Sequence, residues 1–246
     1  MSTALVIPAL NEAGAIGGVV GAIPPGVVDR VVVVDNGSTD GTAHAARAAR
    51  AEVVVEPRRG YGYACRAGVA AASDADIVAF LDGDGSFDPA DLPRLLAPLR
   101  TDEADFVLGS RTLARQAQAV LPHARFGNSL AAALLYRLYG VRVTDLGPMR
   151  AIRRDLLIAL DMQEMIYGWP TEMIVKAARS RARIVEVPVS YRPRVAGQSK
   201  VSGTLKGSLR AGYQILRTTI RYALAEGRDH APRSHRRRQA SGHGSN

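Results

Sequence analysis

Short apolar runs rich in β-branched residues alternate with longer Ala-rich stretches through the first half of the chain. Ala4–Ile7, Val31–Val34, Val53–Val55, Ile77–Leu81 and Phe106–Leu108 have the continuous hydrophobicity of strands covered on both faces. Stretches near Ala13–Ala22, Thr42–Ala51, Tyr63–Ala72 and Pro89–Leu99 read as the helices between them. The series predicts an α/β fold: a doubly wound, Rossmann-like, mostly parallel sheet with helices on both faces and ligands at the carboxyl ends of its strands. Beyond it the rhythm loosens. Helical patterns near Phe126–Tyr139, Asp155–Leu160 and Trp169–Arg179 precede a strand-like Ile184–Val189 and a Gly/Ser/Lys loop, Arg194–Lys200. From Leu205 to Leu224 one helical stripe carries Leu205, Leu209, Tyr213, Leu216, Ile220 and Leu224, with Lys206, Arg210, Arg217 and Arg221 beside it. The expected organisation is one domain over 1–203, a basic amphipathic helix over 204–226 and a disordered Arg-rich tail over 227–246.

Composition narrows the classes. With 246 residues, 47% of them hydrophobic, the chain can bury one sizeable core, and a second full domain is not expected. The single cysteine, Cys65, excludes an internal disulfide framework, and no zinc-ligand spacing surrounds it. A formal net charge of +9 calls for anionic partners: nucleic acid, phosphorylated substrates or an acidic membrane. The tail around Arg236-Arg237-Arg238 lacks the interleaved aromatics of a nucleic-acid platform, so nucleic acid is not expected. Met1 leads directly into a strand-like run, and no apolar run approaches the ~18 residues of a membrane span. The expected location is cytoplasmic, with peripheral contact at the inner face of the cell membrane open through the basic helix, which could equally pack on the domain.

Four polar sequences sit where the strands should end: Pro8-Ala9-Leu10-Asn11-Glu12, Asp35-Asn36-Gly37-Ser38, Glu56–Gly60 and Asp82-Gly83-Asp84. Carboxylates alternating with glycines at the mouth of a buried strand suit Mg²⁺ or Mn²⁺, which takes its other ligands from water and substrate phosphates. An ordinary Asp/Gly turn has the same composition. Asp35, at a strand end, suits a nucleobase imide or a ribose hydroxyl, while Thr39 or Asp40 can cap the following helix. The G-x-G-x-x-G spacing and the P-loop are both missing, which disfavours a nicotinamide enzyme.

In order, Val6–Glu12, Val33–Thr42, Gly60-Tyr61-Gly62 and Asp82-Gly83-Asp84 resemble the family 2 glycosyltransferases of the GT-A fold. Downstream, Gly109-Ser110-Arg111, Thr144–Arg150, Trp169–Met173 and Arg194–Lys200 are similar to the polyprenyl-phosphate branch, of which dolichol-phosphate mannosyltransferase is an example. The resemblance implies an inverting transfer of a sugar from a UDP- or GDP-sugar to a polyprenyl phosphate. It places Pro8, Leu10, Asn11, Glu12 and Asp35 against the nucleoside, and Asp82 and Asp84 at a Mg²⁺ or Mn²⁺ ion, with Ser86 completing the shell. Asp84 is the expected direct ligand and Asp82 the organiser. Many enzymes of that branch carry transmembrane helices that this sequence lacks, so a membrane-subunit partner is a further expectation.

For the acceptor, the resemblance makes Arg111 and Arg125 the phosphate-binding candidates, with Arg150, Arg194 and Lys200 behind them; guanidinium forks suit a phosphate. A phosphate acceptor needs no general base, whereas a hydroxyl acceptor does, and Asp145 is the candidate base or, alternatively, a turn residue that orients an arginine. Glu172 is expected to hold donor hydroxyls or the loop arginines. The loop carrying Ser199 and Lys200, hinged at Gly197, is expected to close over the diphosphate. The competing functions are a soluble transferase with a hydroxyl acceptor, a nucleotidyltransferase, and a non-catalytic membrane-associated nucleotide-binding scaffold.

Overall fold

The structure is a computed structural model describing residues 1–114, 122–195, 217–219 and 221–222, with backbone only at 122–126. Its strands are β1 (Thr3–Ala9), β2 (Arg30–Asp35), β3 (Glu52–Val55), β4 (Ile77–Phe80), β5 (Phe106–Ser110), β6 (Arg150–Arg153) and β7 (Ile184–Pro188). The helices are α1 (Ile16–Gly21), α2 (Thr42–Ala48), α3 (Tyr61–Ala71), α4 (Leu92–Arg100), α5 (Pro122–Tyr139), α6 (Arg154–Ala159) and α7 (Trp169–Arg179). One sheet runs β3-β2-β1-β4-β6-β5-β7, parallel throughout except for β6, which is antiparallel to both neighbours.

Alternate residues of each strand feed opposite faces, the period of two expected of a strand. Leu5, Ile7, Val33, Ile77, Ala79 and Leu81 pack beneath α1 and α4, whereas Val6, Val32, Val34, Val78 and Phe80 pack beneath α3 and α7. Each fully buried Val, Leu or Phe contributes about 2 kcal/mol, so the doubly covered strands dominate the fold's stability. β3 departs from the expected double burial: it is the edge strand, and Val55 is largely exposed.

The short β6 is not marked by the hydrophobic pattern, because Arg150 and Arg153 bracket only two apolar residues. Its position shapes the site. Being antiparallel, it brings its first residue, Arg150, level with Phe80 and Leu108 at the carboxyl edge of the parallel strands. The segment before β6, the loop after β5 and the segment after β7 therefore reach the same edge as the loops after β1, β2 and β4. The chain reverses direction across the sheet between β1 and β4, and ligands of such sheets bind at that switch.

Candidate active site

The loops after β1 and β2 are tied together by side chains. Asn11 adopts a left-handed backbone (φ 54°), which Asn tolerates better than most residues. Its Oδ1 accepts from the Thr39 amide at 2.8 Å, and its own amide donates to Ser38 Oγ at 3.0 Å. The Glu12 amide donates to Thr42 Oγ1 at 2.9 Å, and Asp40 accepts from the amides of Ala13 and Thr42 at 3.2 and 3.0 Å; the N-cap of α2 is Gly41, not Thr39 or Asp40, and Asp40 ties the loop after β1 to the helix's first residue. Asp35, at the end of β2, accepts from the Ser38 amide at 2.9 Å. Pro8 and Leu10 lie partly exposed at the exit of β1, beside this pair of loops.

Asn36, which the sequence reading did not single out, locks the third loop. Its Nδ2 donates to the carbonyls of Glu56 and Arg58 at 3.0 and 2.8 Å, and its Oδ1 accepts from the Gly60 amide at 2.8 Å. The Arg58 guanidinium and amide hold the Glu56 carboxyl down at about 2. Gly60-Tyr61-Gly62 is a close approach: a Cβ on Gly62 would lie 2.3 Å from the Glu164 carbonyl. Tyr63 packs under the Arg58 guanidinium, 4.7 Å from its ring centre.

Asp82 and Asp84 follow β4 at the switch point. Asp84 is buried; its Oδ1 accepts from the Ser86 amide at 2.8 Å, and its Oδ2 accepts from Arg194 Nη2 at 2.7 Å. Arg194 Nη1 also lies 3.7 Å from Glu12 Oε1, so one guanidinium spans the expected ion ligand and the expected nucleoside loop. The Val195 amide donates to the Asp84 carbonyl at 3.1 Å, and its side chain fits where a Cβ on Gly85 (φ 74°) would stand, 2.7 Å away. Burial, reinforced by the charge of Asp84, pushes the Asp82 carboxyl up to about 7. A divalent cation would relieve that repulsion, and a pair of carboxylates is enough for Mg²⁺ or Mn²⁺ when phosphates and water supply the rest. Among the described residues there is no group of three or more His, Cys, Asp or Glu able to hold an ion without such help. The residues fit an ion delivered with a diphosphate. Ser86 serves Asp84 through its backbone amide.

The other half of the edge is a charge relay. Asp145, whose side chain is 1% exposed, accepts from Arg111 Nε and Nη2, both at 2.7 Å, and from the Arg111 amide at 2.9 Å. Both of its oxygens are engaged by Arg111. Glu186, in the middle of β7, accepts from the Thr144 amide at 2.8 Å and the Asp145 amide at 3.1 Å. Burial raises the Glu186 carboxyl above the ordinary glutamate value despite those bonds. The sequence reading missed Glu186; its signal is a carboxylate interrupting the apolar run Ile184-Val185-Glu186-Val187. Ser110 Oγ and Thr144 Oγ1 lie 2.7 Å apart, and the Arg111 guanidinium sits 5.1 Å from the Tyr191 ring centre.

Two expectations change. Arg150 is not an acceptor-facing cation: it is buried and donates to the carbonyls of Pro148, Gly147 and Pro170, stapling the start of β6 to α7. Glu172, expected to hold donor hydroxyls or loop arginines, has other partners in the structure. It is buried, and its oxygens accept from the amides of Gln163 and Glu164 at 2.9 and 2.7 Å, from Lys176 Nζ at 2.9 Å and from the Tyr222 hydroxyl. It anchors the 161–165 segment, whose Met165 carbonyl in turn receives the Tyr63 amide at 3.2 Å. Ser199, Lys200 and the Arg125 side chain lie outside the described residues, as does most of the expected amphipathic helix.

A mostly parallel sheet with paired carboxylates at its switch point is the architecture of GT-A glycosyltransferases. The glycosyl transferase family 2 model matches residues 4–160, and the chain belongs to that family and is a glycosyltransferase. It is 46% identical over 206 residues to an uncharacterized glycosyltransferase of Mycobacterium tuberculosis, covering 83% of this chain and 92% of that one. It is 36% identical over 221 residues to the undecaprenyl-phosphate mannosyltransferase of Micrococcus luteus, covering 84% and 90%. Among solved structures, glucosyl-3-phosphoglycerate synthase of Mycobacterium tuberculosis, in complex with Mn²⁺, UDP and phosphoglyceric acid, superposes with a TM-score of 0.71 at 27% identity, covering 90% and 78%.

Proposed function

We propose that the protein transfers a sugar, with inversion, from a nucleoside diphosphate donor to a polyprenyl phosphate, using Mg²⁺ or Mn²⁺. The observation that carries this reading is the state of Asp145. A hydroxyl acceptor needs a base within hydrogen-bond reach, and the carboxylate placed for that role is committed to Arg111. A phosphate acceptor arrives already ionised, and an oriented guanidinium suits it. Likeness to an undecaprenyl-phosphate mannosyltransferase supports the same acceptor class.

In this reading Asp35 and the Pro8–Glu12 loop receive the nucleoside, Asp82 and Asp84 hold the ion, and Arg111, with Arg125, receives the acceptor phosphate. Ser199 and Lys200 are assigned to the donor diphosphate. Held by Asp82 and Asp84, the ion would supply Lewis-acid stabilisation to the leaving group. The acceptor phosphate oxygen attacks the anomeric carbon from the face opposite the diphosphate. The new C–O bond forms as the sugar–diphosphate C–O bond breaks, the electron pair leaves with the nucleoside diphosphate, and no proton moves. A soluble phosphoglycerate-type acceptor is the second reading, favoured by the likeness to the synthase complex.

Assays with UDP- and GDP-sugars and Mn²⁺ would compare polyprenyl phosphate, the matching polyprenol and 3-phosphoglycerate as acceptors. Product is expected with polyprenyl phosphate alone. Transfer to the alcohol, or to phosphoglycerate in preference to the lipid, overturns the reading.

A further inference from the structure

The described part of the expected basic helix is seated on the domain. Residues 217–219 and 221–222 are helical; they bury Thr218, Thr219 and Tyr222 and leave Arg217 and Arg221 exposed. The Tyr139 hydroxyl donates to the Thr219 carbonyl at 2.7 Å, fixing the segment to the end of α5. Arg221 Nη1 donates to Glu164 Oε1 at 3.1 Å. The Tyr222 ring centre lies 5.3 Å from Lys176 Nζ and 5.5 Å from the Arg221 guanidinium, and its hydroxyl donates to Glu172.

Glu172 carries this contact inward. A buried carboxylate is tolerated only with its hydrogen bonds made, and those of Glu172 come from Tyr222, Lys176 and the amides of Gln163 and Glu164. Burial pushes the Glu172 carboxyl up, yet these bonds outweigh it and hold the group below the ordinary glutamate value. The backbone that Glu172 holds lies directly against the start of α3. A Cβ on Gly60 would stand 2.4 Å from the Met165 carbonyl oxygen and one on Gly62 2.3 Å from that of Glu164, while the Tyr63 amide donates to the Met165 carbonyl. The Gly60 amide in turn donates to Asn36 Oδ1, and Asn36 follows Asp35. Packing this tight passes a displacement on instead of absorbing it.

We infer that Tyr222 is a positioning residue for donor binding, acting through Glu172 and the 163–165 backbone on the Gly60–Tyr63 turn, and so on Asn36 and Asp35. The inference rests on the proposed seat of the nucleoside at Asp35. It gives the C-terminal segment a part in donor affinity. The acceptor end has separate supports, Glu186 and Asn128 on the 144–146 turn, and should not respond.

The test uses the full-length chain with Tyr222→Phe, Glu172→Gln and the double variant. Tyr222→Phe keeps the ring beside Lys176 and Arg221 and removes only the hydroxyl. Hydrogen exchange without ligand reads the path: Tyr222→Phe should speed exchange at the Gln163, Glu164 and Tyr63 amides and leave the Asp145 amide as in the parent. Calorimetric titration with UDP or GDP in the presence of Mn²⁺ reads the consequence. Losing a hydrogen bond to a charged group should weaken binding of the nucleotide that the parent takes by about fivefold. Because the two residues act in series, Glu172→Gln should cost at least as much, and the double variant no more than Glu172→Gln alone. Additive losses overturn the path through Glu172. A lower melting temperature with the parent's exchange pattern and nucleotide affinity reduces Tyr222 to a stability contact and overturns the inference, even if Glu172→Gln fails to fold. A parent that binds neither nucleotide removes the donor seat itself, and the inference falls with that reading. Faster exchange at Tyr63 with unchanged affinity overturns the inference while nucleotide binding stands.

Discussion

The two ends of the cleft are built by different means. At the expected donor end two carboxylates accept from amides of their own turns, Asp35 from Ser38 and Asp84 from Ser86, with Arg194 on the second oxygen of Asp84. At the expected acceptor end the groups are held by partners distant in sequence, the Arg111 guanidinium by the Asp145 carboxylate 34 residues away and the Asp145 backbone amide by the Glu186 carboxylate 41 residues away. Backbone turns survive the loss of one charge, whereas a relay of buried charges does not. The donor end should therefore separate chemistry from folding, and the acceptor end should couple them.

Asp84→Asn gives the largest effect and tests the first half of that contrast. Asparagine keeps an oxygen for the Ser86 amide but loses the charge. If the ion contributes several kcal/mol at the leaving group, losing about 3 kcal/mol of it slows turnover about a hundredfold. The thermal midpoint should not fall. Turnover near that of the parent would remove Asp84 from the ion site, and an unfolded variant would break the contrast itself.

The same contrast explains what the sequence shows. Strand-then-loop units carry their ligands at fixed local offsets, so β1 to β4 and the positions of Asp35, Asp82 and Asp84 are legible from periodicity and from resemblance. β6 is hidden because only Ala151 and Ile152 separate its two arginines, and its antiparallel pairing with β4 and β5 is purely long-range. Arg150 and Glu172 have the composition of site residues. Only their partners, three carbonyls for one and two amides, a lysine and a tyrosine for the other, reveal them as anchors. Glu186 and Asn36 act by holding backbone groups distant in sequence, which no motif encodes.

Glu186→Ala tests the second half. It strips the exposed Thr144 amide, which water can reach, and the part-buried Asp145 amide of their acceptor, so the cost to stability should be about 1 kcal/mol. A displaced Asp145 misaims Arg111, so KM for the acceptor should rise about tenfold while KM for the donor holds, a split that general loosening would not produce. Glu186→Gln retains an oxygen and should recover most of the acceptor affinity. It should also alter the pH profile of stability. Because burial raises the folded-state value of Glu186, the parent loses some stability as pH climbs from the ordinary glutamate range through that value, and the Gln variant would not. Equal rises in both KM values would reduce Glu186 to a packing role.

The smallest effect joins the two ends. Arg194 follows β7, on the acceptor side of the sheet, yet its guanidinium sits on Asp84 and beside Glu12. If Asp84 holds the ion as proposed, the guanidinium that neutralises it would compete with the ion. The pair is partly exposed, with side chains 25% and 9% accessible, which limits its worth to about 1 kcal/mol. Arg194→Ala should therefore tighten Mn²⁺ binding in the absence of nucleotide by about fivefold, read from the electron paramagnetic resonance signal of free Mn²⁺. If a diphosphate instead draws Arg194 away from Asp84, the same variant should bind Mn²⁺ with UDP more weakly than the parent. Opposite signs with and without nucleotide would mean that the donor releases the charge that held its own site closed. Weaker binding in both conditions would mean that Arg194 only organises the loop, and that the two ends of the cleft are electrostatically separate.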